Sequence, residues 1–229
     1  MTKFKICGLR DISHALTAAD AGAEFLGFNF VPGVRRQLSE ERAEAIIQEY
    51  RQLRGSGGPG LVGLFANQPL EDVNRIIARC GLDLAQLCGD EPTEFWKQVE
   101  AKVIRQVKVR DDGPRDAAIS EVLRRVDEVV SQGHIAMLDK HEAGSLGGTG
   151  RTFDWAIASE VAARYDFLLA GGLTPANVAQ SIAAVNPWGV DVSSGVETEG
   201  VKDTDKIVAF AEEVRRVSES PVQESHQNS

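Results

Sequence analysis

The chain reads as an α/β protein folded as a single (β/α)8 TIM barrel. Three observations predict this. Along 229 residues, eight short apolar runs alternate strictly with eight amphipathic stretches. Each run is apolar at nearly every position rather than at alternate ones, as in a parallel strand buried on both faces. No composition shift divides the chain, and a repeat of roughly 20–30 residues is the size of one strand–helix unit. A doubly wound open sheet fits the same alternation, and the pattern alone leaves it open.

From the N-terminus, the first strand is Phe4-Lys5-Ile6-Cys7-Gly8. Asp11-Ile12-Ser13 then opens a helix with a narrow apolar stripe at Ala15, Leu16, Ala19 and Ala23. The second strand, Phe25 to Phe30, leads into the loop Val31-Pro32-Gly33-Val34-Arg35-Arg36-Gln37. Ser39-Glu40-Glu41-Arg42 carries an N-cap and first-turn acids, and its helix is expected to reach about Leu53. The glycine-rich stretch from Arg54 to Gly60 lacks the Lys-Ser or Lys-Thr ending of a P-loop and reads as a solvated connector.

Strand three is Leu61 to Ala66, followed by a helix from Pro69 or Leu70 to Cys80. Strand four is Leu82 to Leu87, with a helix around Phe95, Trp96 and Val99. Strand five is Val103 to Val109, and beyond a polar break a helix covers Ala117 to Val130. Strand six, Ile135-Ala136-Met137-Leu138, stops at the carboxylate of Asp139. Gly147-Gly148-Thr149-Gly150 follows, then a helix from about Phe153 to Arg164. Strand seven, Phe167 to Ala170, ends in Gly171-Gly172, and Thr174-Pro175 predicts an N-cap and a first helical residue. Strand eight, Trp188 to Val192, precedes Ser193-Ser194-Gly195 and a last helix over Asp203 to Val217. The barrel is thus expected over residues 1–217, with a polar, disordered tail over 218–229.

A net charge of −9 and the lack of any Lys/Arg run argue against nucleic acid or an anionic membrane surface as partner. Cys7, Cys80 and Cys88 form no CxxC pair and stand at no metal-ligand spacing from His14, His134, His141 or His226, so no metal site is expected. The N-terminus has no apolar leader, and no stretch approaches the roughly 18 apolar residues of a membrane span. A reducing, cytoplasmic setting is the simplest reading.

In a barrel, the residues just after each strand share one rim. That rim collects Cys7, Arg35 and Arg36, Asn67, Cys88 and Asp90, Lys108 and Arg110, Asp139, Gly171 and Gly172, and Asp191 to Gly195. Small residues at Gly171, Gly172, Ser193, Ser194 and Gly195 let backbone N–H groups approach the oxygens of a phosphate, against the alternative of ordinary tight turns. Cys7 and Asp139 come from strands one and six, roughly across the mouth, where a thiol and a carboxylic acid can take and give protons. A buried inert Cys7, and an Asp139 that only caps a turn, remain the plain alternatives.

Seven segments, in order across residues 5–197, resemble the phosphoribosylanthranilate isomerase family of tryptophan biosynthesis. They are Lys5-Ile6-Cys7-Gly8-Leu9; Phe30-Val31-Pro32 with Arg36; Val62-Gly63-Leu64-Phe65; Gln86-Leu87 with Gly89-Asp90-Glu91; Leu138-Asp139 through Gly147-Gly148-Thr149-Gly150 to Phe153-Asp154-Trp155; Ala170-Gly171-Gly172-Leu173; and Gly189 through Glu197. The resemblance implies an Amadori rearrangement with Cys7 as general base and Asp139 as general acid. It implies Arg36 on the anthranilate carboxylate, Asp191 on a sugar hydroxyl, and Gly171, Gly172, Ser193, Ser194 and Gly195 on the phosphate. It further implies a small phosphorylated substrate, no metal or nucleotide cofactor, and a monomer or homodimer. Two positions depart from the family's pattern: Cys88 where histidine is usual, and Val34 where serine is common. Both departures bear on hydrogen bonds to substrate. The related aminoimidazole carboxamide ribotide isomerases would be expected to use aspartates after strands one and five, with half-barrel repetition; here strand one ends in Cys7. A barrel that binds a phosphorylated ligand without turning it over is the non-enzymatic alternative.

Overall fold

The computed structural model describes residues 1–55, 57–110, 113–140 and 154–219, and in it eight parallel strands close into a barrel. The strands are β1 (Lys3–Cys7), β2 (Phe25–Asn29), β3 (Gly60–Phe65), β4 (Leu84–Leu87), β5 (Lys102–Val109), β6 (Ile135–Lys140), β7 (Phe167–Leu169) and β8 (Gly189–Val192). The helices are α1 (Ile12–Asp20), α2 (Glu40–Arg54), α3 (Leu70–Cys80), α4 (Thr93–Trp96), α5 (Arg115–Val130), α6 (Trp155–Ala162), α7 (Val178–Val185) and α8 (Thr204–Glu219). β1 pairs with both β2 and β8, which excludes the open sheet.

Side chains alternate across a strand, and this divides the core into two shells. Phe4 and Ile6 of β1 pack outward against Ala15 and Ala18 of α1 and Phe210 and Val214 of α8. Cys7 turns inward with Val62, Leu64, Leu84, Ile104, Met137 and Leu168. Both faces of each strand are covered, which is why most strand positions are apolar. The polar residues that do occur on inward positions are therefore informative.

Helix starts follow their caps. Asp11 accepts from the His14 N–H, Ser39 Oγ from the Arg42 N–H at 3.2 Å, and Asp154 from the Ala156 N–H. Several element ends differ from the sequence expectation: β4 starts at Leu84, two residues late, α5 starts at Arg115, two early, and α6 covers only Trp155–Ala162. α4 is a single turn ending at Trp96, because Asn74 of α3 donates to the Gln98 carbonyl and accepts from the Glu100 N–H, which draws the chain away. α7 begins at Val178, not after Thr174: Asn177 accepts from the Thr174 N–H and donates to the Gly172 carbonyl, holding the segment as a turn. α8 runs to Glu219, two residues past the expected end at Val217, since Ser218 is tied to the Val214 carbonyl and accepts from the Thr2 N–H. A short hairpin, β9 (Glu197–Thr198) with β10 (Val201–Lys202), was not foreseen. The Gly147–Gly150 motif and all but the first two residues of the expected tail lie outside the described residues.

The turn after β4 hangs on one buried cation. Arg105 donates to the carbonyls of Leu87 and Gly89 and to Glu91, and stacks on Trp96 with 5.4 Å to the ring. Glu91 in turn accepts from the Asn67 N–H. Removing one partner of a buried pair strands the other, so Arg105→Met should lower the unfolding free energy by about 3–5 kcal/mol. Urea melts will check this, and Arg105→Met/Glu91→Gln should lose less than the single variant.

Candidate active site

The carboxyl ends of the strands form a mouth floored by Ile104, Met137 and Leu168. Alternation places Lys5 and Cys7 of β1 on the inner face, with Gln86 of β4, Gln106 of β5, Asp139 of β6 and Asp191 of β8. Nearly all of their surface is withdrawn from solvent: Cys7 is 5% exposed, Asp139 7%, Asp191 8% and Lys5 0%.

Asp139 Oδ2 accepts from Gln106 Nε2 at 2.5 Å, and its Oδ1 accepts from the Lys140 N–H at 2.8 Å. Burial, reinforced by the negative charge of Asp191, raises its carboxyl to about 6 against those two hydrogen bonds. Lys5 Nζ donates to Asp191 Oδ1 at 2.6 Å, and the two residues are register partners across the β1–β8 seam. Burial alone would lower the Lys5 ammonium, but Asp191 and the Cys7 sulfur outweigh it and hold it above the ordinary lysine value. Burial raises the Cys7 thiol, Lys5 opposes that, Asp191 reinforces it and Lys202 opposes it. Cys88, in the mouth beside Gln86, is pushed up to about 12 by burial and stands as a neutral thiol.

Arg36, from the β2–α2 loop, donates through Nε and Nη2 to both oxygens of Glu197 at 2.6 and 2.9 Å. Lys202, delivered by the hairpin, donates to Glu197 Oε1 and to the Ser193 carbonyl, both at 2.8 Å. Burial by itself would raise the Glu197 carboxyl, but these two cations hold it down at about 2. The two-pronged edge of Arg36 is thus filled by Glu197, and among the described residues Nη1 is its unpaired donor.

Gly171 and Gly172 both have positive φ, +88° and +67°, and among the described residues their N–H groups donate to no protein acceptor. A Cβ added at Gly195 would lie 1.8 Å from the Leu173 carbonyl oxygen, so the loops after β7 and β8 are in backbone contact there. Ser193 Oγ donates to the Cys7 carbonyl at 3.1 Å, which joins this cradle to the end of β1.

The expected residues thus fall into three groups: Cys7, Asp139 and Asp191 within the mouth, Gly171, Gly172, Ser193, Ser194 and Gly195 on adjoining loops, and Arg36 at the edge. Asn67 is not a site residue of the same kind, since its Oδ1 accepts from the Asp90 N–H and builds the turn after β4. Lys5, Gln106, Glu197 and Lys202 are participants that the rim reading passed over. A signal for the first existed: a lysine two residues before Cys7 in an otherwise apolar strand must share its face.

The sequence model of the family described as N-(5'phosphoribosyl)anthranilate (PRA) isomerase matches residues 4–213. The N-(5'-phosphoribosyl)anthranilate isomerase of Dehalococcoides mccartyi is 40% identical over 215 residues, covering 94% of this chain and 96% of the relative. That of Roseiflexus castenholzii is 44% identical over 209 residues, covering 90% and 94%. Among solved structures, the Thermotoga maritima phosphoribosyl anthranilate isomerase is 31% identical with a TM-score of 0.80, over 94% of this chain and all of that one. Another, solved with reduced 1-(o-carboxyphenylamino)-1-deoxyribulose 5-phosphate, has a TM-score of 0.77 at 30% identity, over 94% and 100% of the two chains.

The raised Asp139 carboxyl gives a signed expectation. The folded chain binds this proton more tightly than the unfolded chain, so the stability Asp139 contributes is full below the usual carboxylate range. It is lost as pH rises through about 6. Asp139→Asn cannot ionise. Its stability relative to the parent should improve by about 2–3 kcal/mol between about pH 4 and pH 8. Denaturant melts across that range measure the gap, and a constant gap would contradict the assignment.

Proposed function

The chain belongs to the N-(5'-phosphoribosyl)anthranilate isomerase family, and from that premise we propose which of its residues move the protons. The reaction converts an aminoaldose phosphate, N-(5'-phosphoribosyl)anthranilate, into its aminoketose isomer, 1-(2-carboxyphenylamino)-1-deoxyribulose 5-phosphate, within tryptophan biosynthesis. C2 is oxidised as C1 is reduced, so the electron count balances within the substrate.

Asp139 gives its proton to the ribose ring oxygen as the C1–O bond breaks, and the nitrogen lone pair forms a C1=N iminium. Cys7, as thiolate, takes the proton from C2. The C–H electrons become the C1=C2 bond, and the iminium pair returns to nitrogen. The enolamine then ketonises, C1 gaining a proton as the C2 hydroxyl loses one. A carboxyl titrating at about 6 still carries a useful fraction of its proton near neutrality. Gln106 holds it in place. The observation that carries this reading is the delivery of Cys7 and Asp139, from β1 and β6, to one buried mouth.

Asp191 accepts a hydrogen bond from a sugar hydroxyl. The backbone of Gly171, Gly172, Ser193, Ser194 and Gly195 holds the phosphate, with two N–H groups in reserve at the glycines. Arg36 meets the anthranilate carboxylate with Nη1 while Glu197 fixes the guanidinium plane. Cys88 and Val34 donate no hydrogen bond of the kind histidine and serine would. We further propose a cytoplasmic barrel over residues 1–217 that works as a monomer or homodimer. Among the described residues, no helix is long and apolar enough to cross a membrane.

Turnover of freshly generated phosphoribosylanthranilate, followed by the loss of its fluorescence, tests the roles. Cys7→Ala and Asp139→Asn should each lower kcat/KM by about a thousand-fold. Arg36→Met should act mainly on KM. Near-normal turnover by Cys7→Ala would remove the thiol from the mechanism.

A further inference from the structure

Lys5 is wholly inaccessible, and its ammonium lies inside the barrel mouth beside Cys7 and Asp191. Such a pair is a poor choice for stability alone: taking two charges from water costs several kcal/mol each, and well-packed apolar residues of similar volume often do as well or better. The position says what else it does. Lys5 precedes Cys7 by two residues on β1, so their side chains share the inner face. Asp191, its register partner on β8, lies on the side from which its field reaches Asp139.

We propose that the buried Lys5–Asp191 pair is a positioning device that biases both proton carriers at once, its positive end supporting the Cys7 thiolate and its negative end keeping Asp139 protonated. This rests on the assignment of Cys7 and Asp139 as base and acid. One ion pair then answers opposite demands on two neighbouring groups. Neither end is free to turn away, because each holds the other at 2.6 Å.

The other groups around the mouth do not supply the same arrangement. Facing Cys7 are Lys5, Asp191, Lys202, Arg36 and the thiol of Cys88. Arg36 and Lys202 are both engaged by Glu197, which offsets their charge. Cys88 stands neutral. Facing Asp139 are Asp191, Lys108 and the uncharged Gln106, and of these only Asp191 favours the protonated acid. Of the charges acting on the thiol, Lys5 is the strongest that favours thiolate, ahead of the opposing effect of Asp191.

The test is the ultraviolet thiolate absorbance of the substrate-free, full-length protein against pH, with the same titration of Cys7→Ser subtracted. Lys5→Met should raise the Cys7 midpoint by at least about one pH unit, a tenfold loss of thiolate at any pH below it. Asp191→Asn should lower that midpoint, and carbon NMR should show the Asp139 midpoint falling as well. Each single variant leaves one buried charge unpaired and can fail to fold. Lys5→Met/Asp191→Asn leaves none, and its Cys7 midpoint should stay above the parent's. An unmoved midpoint in Lys5→Met, a double variant at or below the parent, or an unmoved Asp139 in Asp191→Asn would overturn the proposal. Turnover by Cys7→Ser would instead sink the base assignment, and it leaves the titration result standing on its own.

Discussion

The Lys5–Asp191 ion pair sits where the first and last strands meet, and much of the molecule is arranged to make it tolerable. It is sealed from below by the inner apolar cluster and from outside by the shell between strands and helices. In that dry setting a charge acts far more strongly on its neighbours than it would in water. Cys7 lies two residues along the same strand, and Asp139 is close enough for its carboxyl to feel Asp191. The barrel therefore does more than hold a thiol and a carboxyl apart. Its closing seam sets charges of opposite sign beside them.

Around this centre the loops are organised by a second charge cluster on Glu197. One carboxylate receives Arg35, Arg36 and Lys202, and Lys202 also reaches the Ser193 carbonyl. Residues from the β2–α2 loop, the loop after β8 and the β9–β10 hairpin are thereby locked together. The side of the mouth proposed for the carboxylate and the side proposed for the phosphate are thus mechanically coupled, since Ser193 belongs to both networks. The backbone contact between Gly195 and Leu173 extends that coupling to the loop after β7.

The strands were legible because covering both faces forces apolar residues at most positions, and Asp139 and Asp191 stood out as carboxylates at strand ends. Helix starts were legible where a side chain caps locally, as at Asp11 and Ser39. A start was misread where Asn177 bonds backward to Thr174 and Gly172, and an end was misread where Asn74 captures the chain after Trp96. The sequence also exposes which residue types reach the rim. What it hides is who already holds them. The grip of Glu197 on Arg36 depends on a hairpin folding back over 161 residues of separation, a fact that no local pattern encodes.

The seam has a consequence for how the molecule is made. Its ion pair joins residues 186 positions apart, so β1 has no partner on that side until nearly the whole chain exists. At ribosomal speeds of about 5–20 residues per second, that edge stays unpaired for roughly 10–40 seconds. Open edges invite pairing with foreign strands, and an inward-pointing charge is one of the ways edges are made unattractive to such partners. Lys5 stands in the middle of β1. Before it has any acid to meet, its ammonium is an inward-pointing charge of that kind on the open edge.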